Sequence, residues 1–169
     1  FESALSGNYI IAEESAKFSF PEVIFGTFPG MGAYSFLTKK VGFNRANEII
    51  NSNKTYTSKD IFELGIINKV CDDGMGIATM SSLIKNGDME QYISNPFLNI
   101  CNKVSKKELL DVVNVWLAKA FTLSEDNLSR MLKLANFQKR KIEQTKIIEP
   151  SIEEEMKIAE VNTLINSSF

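Results

Sequence analysis

The sequence predicts an α/β fold over its first seventy or so residues, followed by a predominantly helical region. Three observations carry this. Tyr9-Ile10-Ile11-Ala12 is a short apolar run bounded by Gly7-Asn8 and Glu13-Glu14, the pattern of a buried strand. Thr57-Ser58-Lys59-Asp60 carries helix-capping chemistry and leads, through Ile61, Leu64 and Gly65, straight into the branched segment 66–70, a compact αβ unit. Beyond Gly74, Leu109, Val112, Val113, Trp116, Leu117, Ala120 and Phe121 recur at steps of three and four, which puts them on one helix face.

The elements follow in chain order. After the strand at 9–12, Lys17-Phe18-Ser19-Phe20 alternates polar and apolar residues and reads as a second short strand stopped by Pro21. Phe28-Pro29-Gly30-Met31-Gly32 is a turn, after which Ala33 to Val41 form a helix ending near Gly42. In the αβ unit, an acid in the first turn and the left-handed stop expected of Gly65 bracket a helix, and Ile66 to Val70 form the strand after it. The stretch from Asn86 to Pro96 is rich in turn residues. Ser124, with Glu125 and Asp126, caps a helix carrying Leu128, Met131, Leu132 and Ala135. Ser151 with Glu154 is a capping box opening a last helix to about Leu164. The expected division is 1–73 for the α/β part and 74–169 for the helical region.

Composition excludes several chemistries. The 169 residues contain no histidine, so Ser/His/Asp and Cys/His triads and histidine-bearing zinc motifs cannot be built from them. Acid and base work falls to carboxylates, Lys, Tyr or Cys. Cys71 and Cys101, thirty positions apart with no CxxC, read as reduced, buried thiols of a cytoplasmic protein. Nineteen basic against twenty-one acidic residues give no net attraction for nucleic acid or an anionic membrane, and no apolar run is long enough for a membrane span. The first residue is Phe1, with no signal-peptide pattern behind it, and the chain reads as cut at its N-terminus.

Glu22 is the only charge in the run from Phe18 to Phe28. A carboxylate among so many aromatic and branched neighbours is expected to lose solvent, which raises its pKa toward the range useful in acid–base catalysis. On composition alone, a solvated turn glutamate after a proline is the favoured explanation. Glu2, taken alone, reads as a frayed terminal glutamate.

Glu2 and Glu22 gain weight from a resemblance. Phe1-Glu2-Ser3-Ala4-Leu5, Tyr9-Ile10-Ile11-Ala12, Ala16 to Val23 and Phe28-Pro29-Gly30-Met31-Gly32, continued by Thr55 to Ser58 and Glu63 to Val70, resemble the active-site region of the crotonase (enoyl-CoA hydratase/isomerase) superfamily. Within it, Phe28 to Leu37, Asn114-Val115-Trp116 and Leu123-Ser124-Glu125 look like the diffusible signal factor synthase branch. The resemblance spans roughly residues 1 to 141 and implies the C-terminal part of a crotonase-like (ClpP/crotonase) α/β fold with a helical C-terminal region.

The superfamily places two catalytic glutamates twenty positions apart, and Glu2 and Glu22 match both positions. The resemblance implies a 3-hydroxyacyl thioester whose carbonyl sits in an oxyanion hole, with Glu22 acting at the α carbon and Glu2 on the hydroxyl or water. The branch implies dehydration of a 3-hydroxyacyl chain on acyl carrier protein to a cis-2-unsaturated quorum-sensing fatty acid, with thioester hydrolysis. The alternatives are an enoyl-CoA hydratase or isomerase acting on CoA thioesters and, from another class, a noncatalytic oligomeric or partner-binding homologue.

Met31 and Trp116 match positions expected to bind the acyl chain, although a turn residue and a core tryptophan explain them about as well. Lys133, Lys139, Arg140, Lys141 and Lys146 form a basic stretch, most simply a solvated helix face, or else a docking surface for an acidic acyl carrier protein. No metal or other cofactor is implied, and a homotrimer or homohexamer is. The superfamily's oxyanion-hole donors correspond to segments before Phe1, so the 169 residues alone are expected to be inactive. Gly7-Asn8 stands where many members have Cys-Asp.

Overall fold

A computed structural model describes residues 1–148, and the capping box at Ser151 and the helix expected to follow it lie outside them. The chain divides into two compact units, 1–123 and 124–169. The first unit begins with α1 (Glu2–Leu5), β1 (Ile11–Glu13) and β2 (Lys17–Phe18), then a 3₁₀ turn over Pro21–Phe25. It continues with α2 (Ala33–Val41), α3 (Phe43–Asn51), β3 (Tyr56–Thr57), α4 (Ser58–Glu63) and β4 (Lys69–Cys71). Four further helices complete it: α5 (Gly76–Lys85), α6 (Glu90–Ile93), α7 (Pro96–Cys101) and α8 (Lys106–Ala120). In the second unit, α9 (Glu125–Ile148) is the described element, and the Ser124 hydroxyl accepts the Asn127 amide at 3.3 Å as its cap. No described helix is long and apolar enough to cross a membrane.

The strands are shorter than the sequence pattern suggests, for identifiable reasons. β1 and β4 pair in parallel, with Ile11 opposite Lys69 and Glu13 opposite Cys71. Before that ladder begins, the Asn68 side chain accepts the Ile10 amide at 2.8 Å and the Asn68 amide donates to the Ile10 carbonyl at 2.8 Å. A side chain thus occupies a ladder position, and Ile66 and Ile67, expected in the strand, are instead buried residues of the turn before it. β2 pairs antiparallel with β3 over two residues only. Phe20 leaves the sheet because Pro21 has no N–H to give and instead opens the 3₁₀ turn, its ring suiting the first position of a helix.

The apolar centre is a cluster of Leu5, Ala12, Phe20, Leu37, Ile50, Ile61 and Ile66 with their neighbours. The helix α3 was not anticipated, although Ala46, Ile49 and Ile50 have helical spacing and form its buried face against α2. α4 begins with a full capping box: the Thr57 hydroxyl accepts the Asp60 amide at 3.1 Å, and the Asp60 carboxylate accepts the Thr57 amide at 2.7 Å. Gly65 ends that helix at φ 71°, as its place in the sequence predicts. Ser58 is buried at 1% exposure, and its hydroxyl donates to the Glu13 carbonyl, tying α4 to β1.

The apolar face expected on α8 is only partly covered. Leu109, Val112, Trp116 and Ala120 are half-buried, whereas Leu117 and Phe121 are exposed at 42% and 87%. The covered stripe is therefore narrower than the sequence periodicity implies. The burial expected of the two thiols is corrected as well, Cys71 being half-buried and Cys101 exposed.

Two substitutions separate capping from core packing. Thr57→Ala removes one orphan-donor partner and should lower stability by about 1 kcal/mol. Leu37→Ala empties a fully buried site and should cost about 3 kcal/mol. Urea unfolding of both variants checks the order, Leu37→Ala having the lower midpoint.

Candidate functional site

Glu2 stands in the first turn of α1, and its side chain is carried into the core at 6% exposure. A carboxylate loses its hydration there and must find donors within the protein. It finds them in the turn predicted at 28–32: Oε2 accepts the Met31 amide at 2.8 Å and the Ala33 amide at 3.0 Å. Hydrogen bonds from backbone N–H groups to a charged acceptor are among the stronger ones in proteins. The frayed terminal glutamate is thus excluded: Glu2 connects α1 to the start of α2.

The turn can offer those amides because of its glycines. Gly32 adopts φ 104°, a conformation costly for a side chain, and Ala33 starts α2 directly after it. Pro29 is fully buried and holds the entry to the turn.

Glu22 lies in the first turn of the 3₁₀ segment, half-buried. Its Oε2 is buried and has no hydrogen-bond partner in the protein, and the same holds for the Thr27 hydroxyl at the end of that turn. Burial pushes the Glu22 carboxyl above the ordinary glutamate range; its own backbone hydrogen bond opposes this, and the negative charge of Glu2 adds to it. The solvated turn glutamate is excluded too. The structure brings Glu2 and Glu22 close enough for the charge of one to act on the protonation of the other. One is held by two amides, while the other keeps an unpaired oxygen.

The remaining expected residues surround the turn. The Met31 side chain is 65% exposed, and what Met31 gives the pair is its backbone N–H. Trp116 is half-buried, with its ring against Gly30. Sequence reasoning missed Gly30, Gly32, Ala33 and Thr27 as parts of the site, although a Pro-Gly-X-Gly turn is itself a signal of close backbone approach. Beside the turn, Phe28, Tyr34, Val112 and Val115 line an open cleft of about 490 Å³ rimmed by Ser105, Lys107, Glu108 and Asp111. In the second unit, Lys133, Lys139 and Arg140 are exposed on α9; the side chains of Lys141 and Lys146 lie outside the described residues.

The protonation of Glu22 carries a measurable consequence. Because the folded state favours the neutral acid, Glu22 supports the fold most fully below the ordinary glutamate pKa, and that support is lost as pH rises through its raised value. Glu22→Gln keeps the shape and removes the charge. Its urea midpoint should exceed that of the unsubstituted protein at pH 8, and the difference should shrink or reverse at pH 4.

The enoyl-CoA hydratase/isomerase family model matches residues 1–85, the half of the chain that holds both glutamates and the turn. Mitochondrial enoyl-CoA hydratase of Pongo abelii is 34% identical over 70 residues, covering 41% of this chain and 24% of its own length. Short-chain-enoyl-CoA hydratase of Clostridioides difficile is 32% identical over 84 residues, covering 50% of this chain and 54% of its own. The chain thus spans between about a quarter and a half of these relatives.

Among solved structures, carnitinyl-CoA hydratase from Mycobacterium avium superposes with a TM-score of 0.63 at 22% identity, over 79% of this chain and 53% of that one. An enoyl-CoA hydratase subunit from Geobacillus kaustophilus superposes with a TM-score of 0.52 at 26% identity, over 80% and 54%. The fold is therefore that of the crotonase superfamily, and the chain belongs to the enoyl-CoA hydratase/isomerase family.

Proposed function

We propose that the protein carrying these residues adds water to a 2-enoyl thioester of coenzyme A, or removes it from the 3-hydroxyacyl thioester, with Glu2 and Glu22 as the reacting acid and base. The observation behind this reading is the unequal pair: a carboxyl with a buried, unpaired oxygen and a raised pKa beside a carboxylate fixed by two amides. Hydration needs two such groups in different protonation states. Glu22, whose carboxyl burial pushes above the ordinary glutamate range, donates a proton to the α carbon, while Glu2 takes one from the water that attacks the β carbon. In dehydration each step runs backwards through the same groups. The names of the relatives, several of them enoyl-CoA hydratases, point to a CoA thioester.

A second reading rests on one segment. Phe28 to Leu37, together with Trp116, resembles the diffusible signal factor synthase branch, which supports a 3-hydroxyacyl chain on acyl carrier protein as substrate and hydrolysis of the thioester after dehydration. In that reading Met31 and Trp116 face the acyl chain and the basic residues of α9 meet the carrier protein. Association into a trimer or hexamer is proposed with either reading.

Two measurements on the complete protein separate these possibilities. Glu2→Gln and Glu22→Gln should each lower turnover by about 10² or more, the usual scale of a lost acid or base. Unchanged turnover in both variants would remove Glu2 and Glu22 as the reacting pair, and no turnover of either thioester by the unsubstituted protein would leave the noncatalytic, partner-binding reading in its place. Matched CoA and carrier-protein thioesters decide the substrate: the first reading expects a higher kcat/KM on CoA and no free acid, the second a higher value on carrier protein with free fatty acid released.

A further inference from the structure

The turn that holds Glu2 is itself covered. Its amide donors, Met31 and Ala33, alternate with Gly30 and Gly32, and both glycines lie under side chains of α8. A Cβ built on Gly30 would sit 2.6 Å from Cδ1 and Cγ of Trp116, and one built on Gly32 would sit 2.5 Å from Cδ2 of Leu109. Contacts that short do not occur. At Gly30 the rigid Trp116 ring has no easy way to give, so this glycine lets α8 come this close. At Gly32 the Leu109 methyl could turn aside, and the φ of 104° is what calls for glycine. Leu109 and Trp116 are separated by nearly two helical turns, about 10 Å along the axis, and so share one face. One side chain therefore rests on the glycine before Met31 and the other on the glycine after it.

From this arrangement we infer that Leu109 and Trp116 are positioning residues for Glu2, acting through the backbone of Gly30–Ala33 to fix the two amides that orient its carboxylate. Buried Pro29 anchors one end of the turn and Ala33, buried in α2, the other, but the residues between them bury no side chain of their own. The Met31 side chain is 65% exposed, and Gly30 and Gly32 have no side chains to pack. Without α8 across it, a segment with two glycines in four residues would sample many conformations, most of which break at least one bond to Glu2. A small displacement of a reacting group is costly, since about 1 Å of misplacement can remove 10²-fold in rate. This role differs from that of an acyl-chain wall, which would act on substrate binding and leave the amides alone. It rests on the proposed function only for its effect on rate.

Amide hydrogen exchange on the full chain tests the clamp without reference to activity. Trp116→Ala should speed exchange at the Met31 and Ala33 amides about tenfold, while the Leu64 amide, bonded to Asp60 within α4, keeps its rate. Trp116→Phe, which still lays a flat ring over Gly30, should restore slow exchange. Leu109→Ala is an independent second variant with the same expected direction. If exchange at Met31 and Ala33 stays within about twofold in both alanine variants, the clamp is overturned.

The kinetic arm uses the complete protein. Trp116→Ala should lower kcat about tenfold with little change in KM, the signature of a displaced reacting group. A raised KM with unchanged kcat and unchanged exchange would make Trp116 a substrate-binding wall and overturn the inference. Faster exchange with unchanged kcat would sustain the clamp and refute Glu2 as a reacting group.

Discussion

Two hydrogen bonds onto one carboxylate oxygen organise the first unit. Oε2 of Glu2 takes the amides of Met31 and Ala33, residues some thirty positions away. A carboxylate at 6% exposure would be costly without such donors, so these bonds oblige the turn at 28–32 to face α1. Once it does, α2 starts at Ala33, its buried residues Ala33 and Leu37 meet the core, and α3 packs against α2. Gly32 is then required for the conformation that aims the amides, and Gly30 for the room that the Trp116 ring of α8 needs.

The same bonds bear on the second carboxyl. Burial raises the Glu22 carboxyl above its ordinary range, and the charge of Glu2, whose carboxylate those two amides hold in place, adds to it. Glu22 has no comparable donors: one of its oxygens is buried and unpaired, and Thr27 five residues on has an unpaired hydroxyl. Buried polar atoms of this kind are rare in folded proteins, because each forgoes about 1–3 kcal/mol of hydrogen bonding. The two lie close together in the chain, Glu22 in the 3₁₀ turn and Thr27 just past its end. Protonation adjusts at Glu22 because that is where the donors are missing.

What was legible in the sequence is what local chemistry decides. The residues after a Pro-Gly turn predict α2, the Thr57–Asp60 cap and the Gly65 stop predict α4, and apolar spacing predicts α8. The strands were read too long, because the Asn68 side chain takes a ladder bond that periodicity assigns to backbone. α3 carries helical spacing at Ala46, Ile49 and Ile50, but no capping side chain marks its start, which is Gly42. The chemistry of the pair could not be read locally at all. Composition alone made Glu2 a frayed end and Glu22 a solvated turn residue; only the twenty-residue spacing of a resembling superfamily joined them. Burial of both depends on segments that meet in space, and that information is absent from any window of neighbouring residues.

The division between backbone and side-chain roles explains why the family is plain while the branch is not. The Met31 amide holds Glu2, whereas its thioether is 65% exposed and takes no part in that bond. Any residue able to adopt the same backbone could supply the amide. The parts that fix the pair are Glu2, Glu22 and two glycines, all lying within the residues that the family model matches. The substrate-facing roles proposed for the Met31 side chain and Trp116, by contrast, fall on an exposed side chain and on α8, whose residues lie beyond that match. If Trp116 and Leu109 also clamp the turn, α8 joins the two levels. A substitution there that enlarges room for an acyl chain would loosen the amides on Glu2, so specificity and rate could not be changed independently at those two positions.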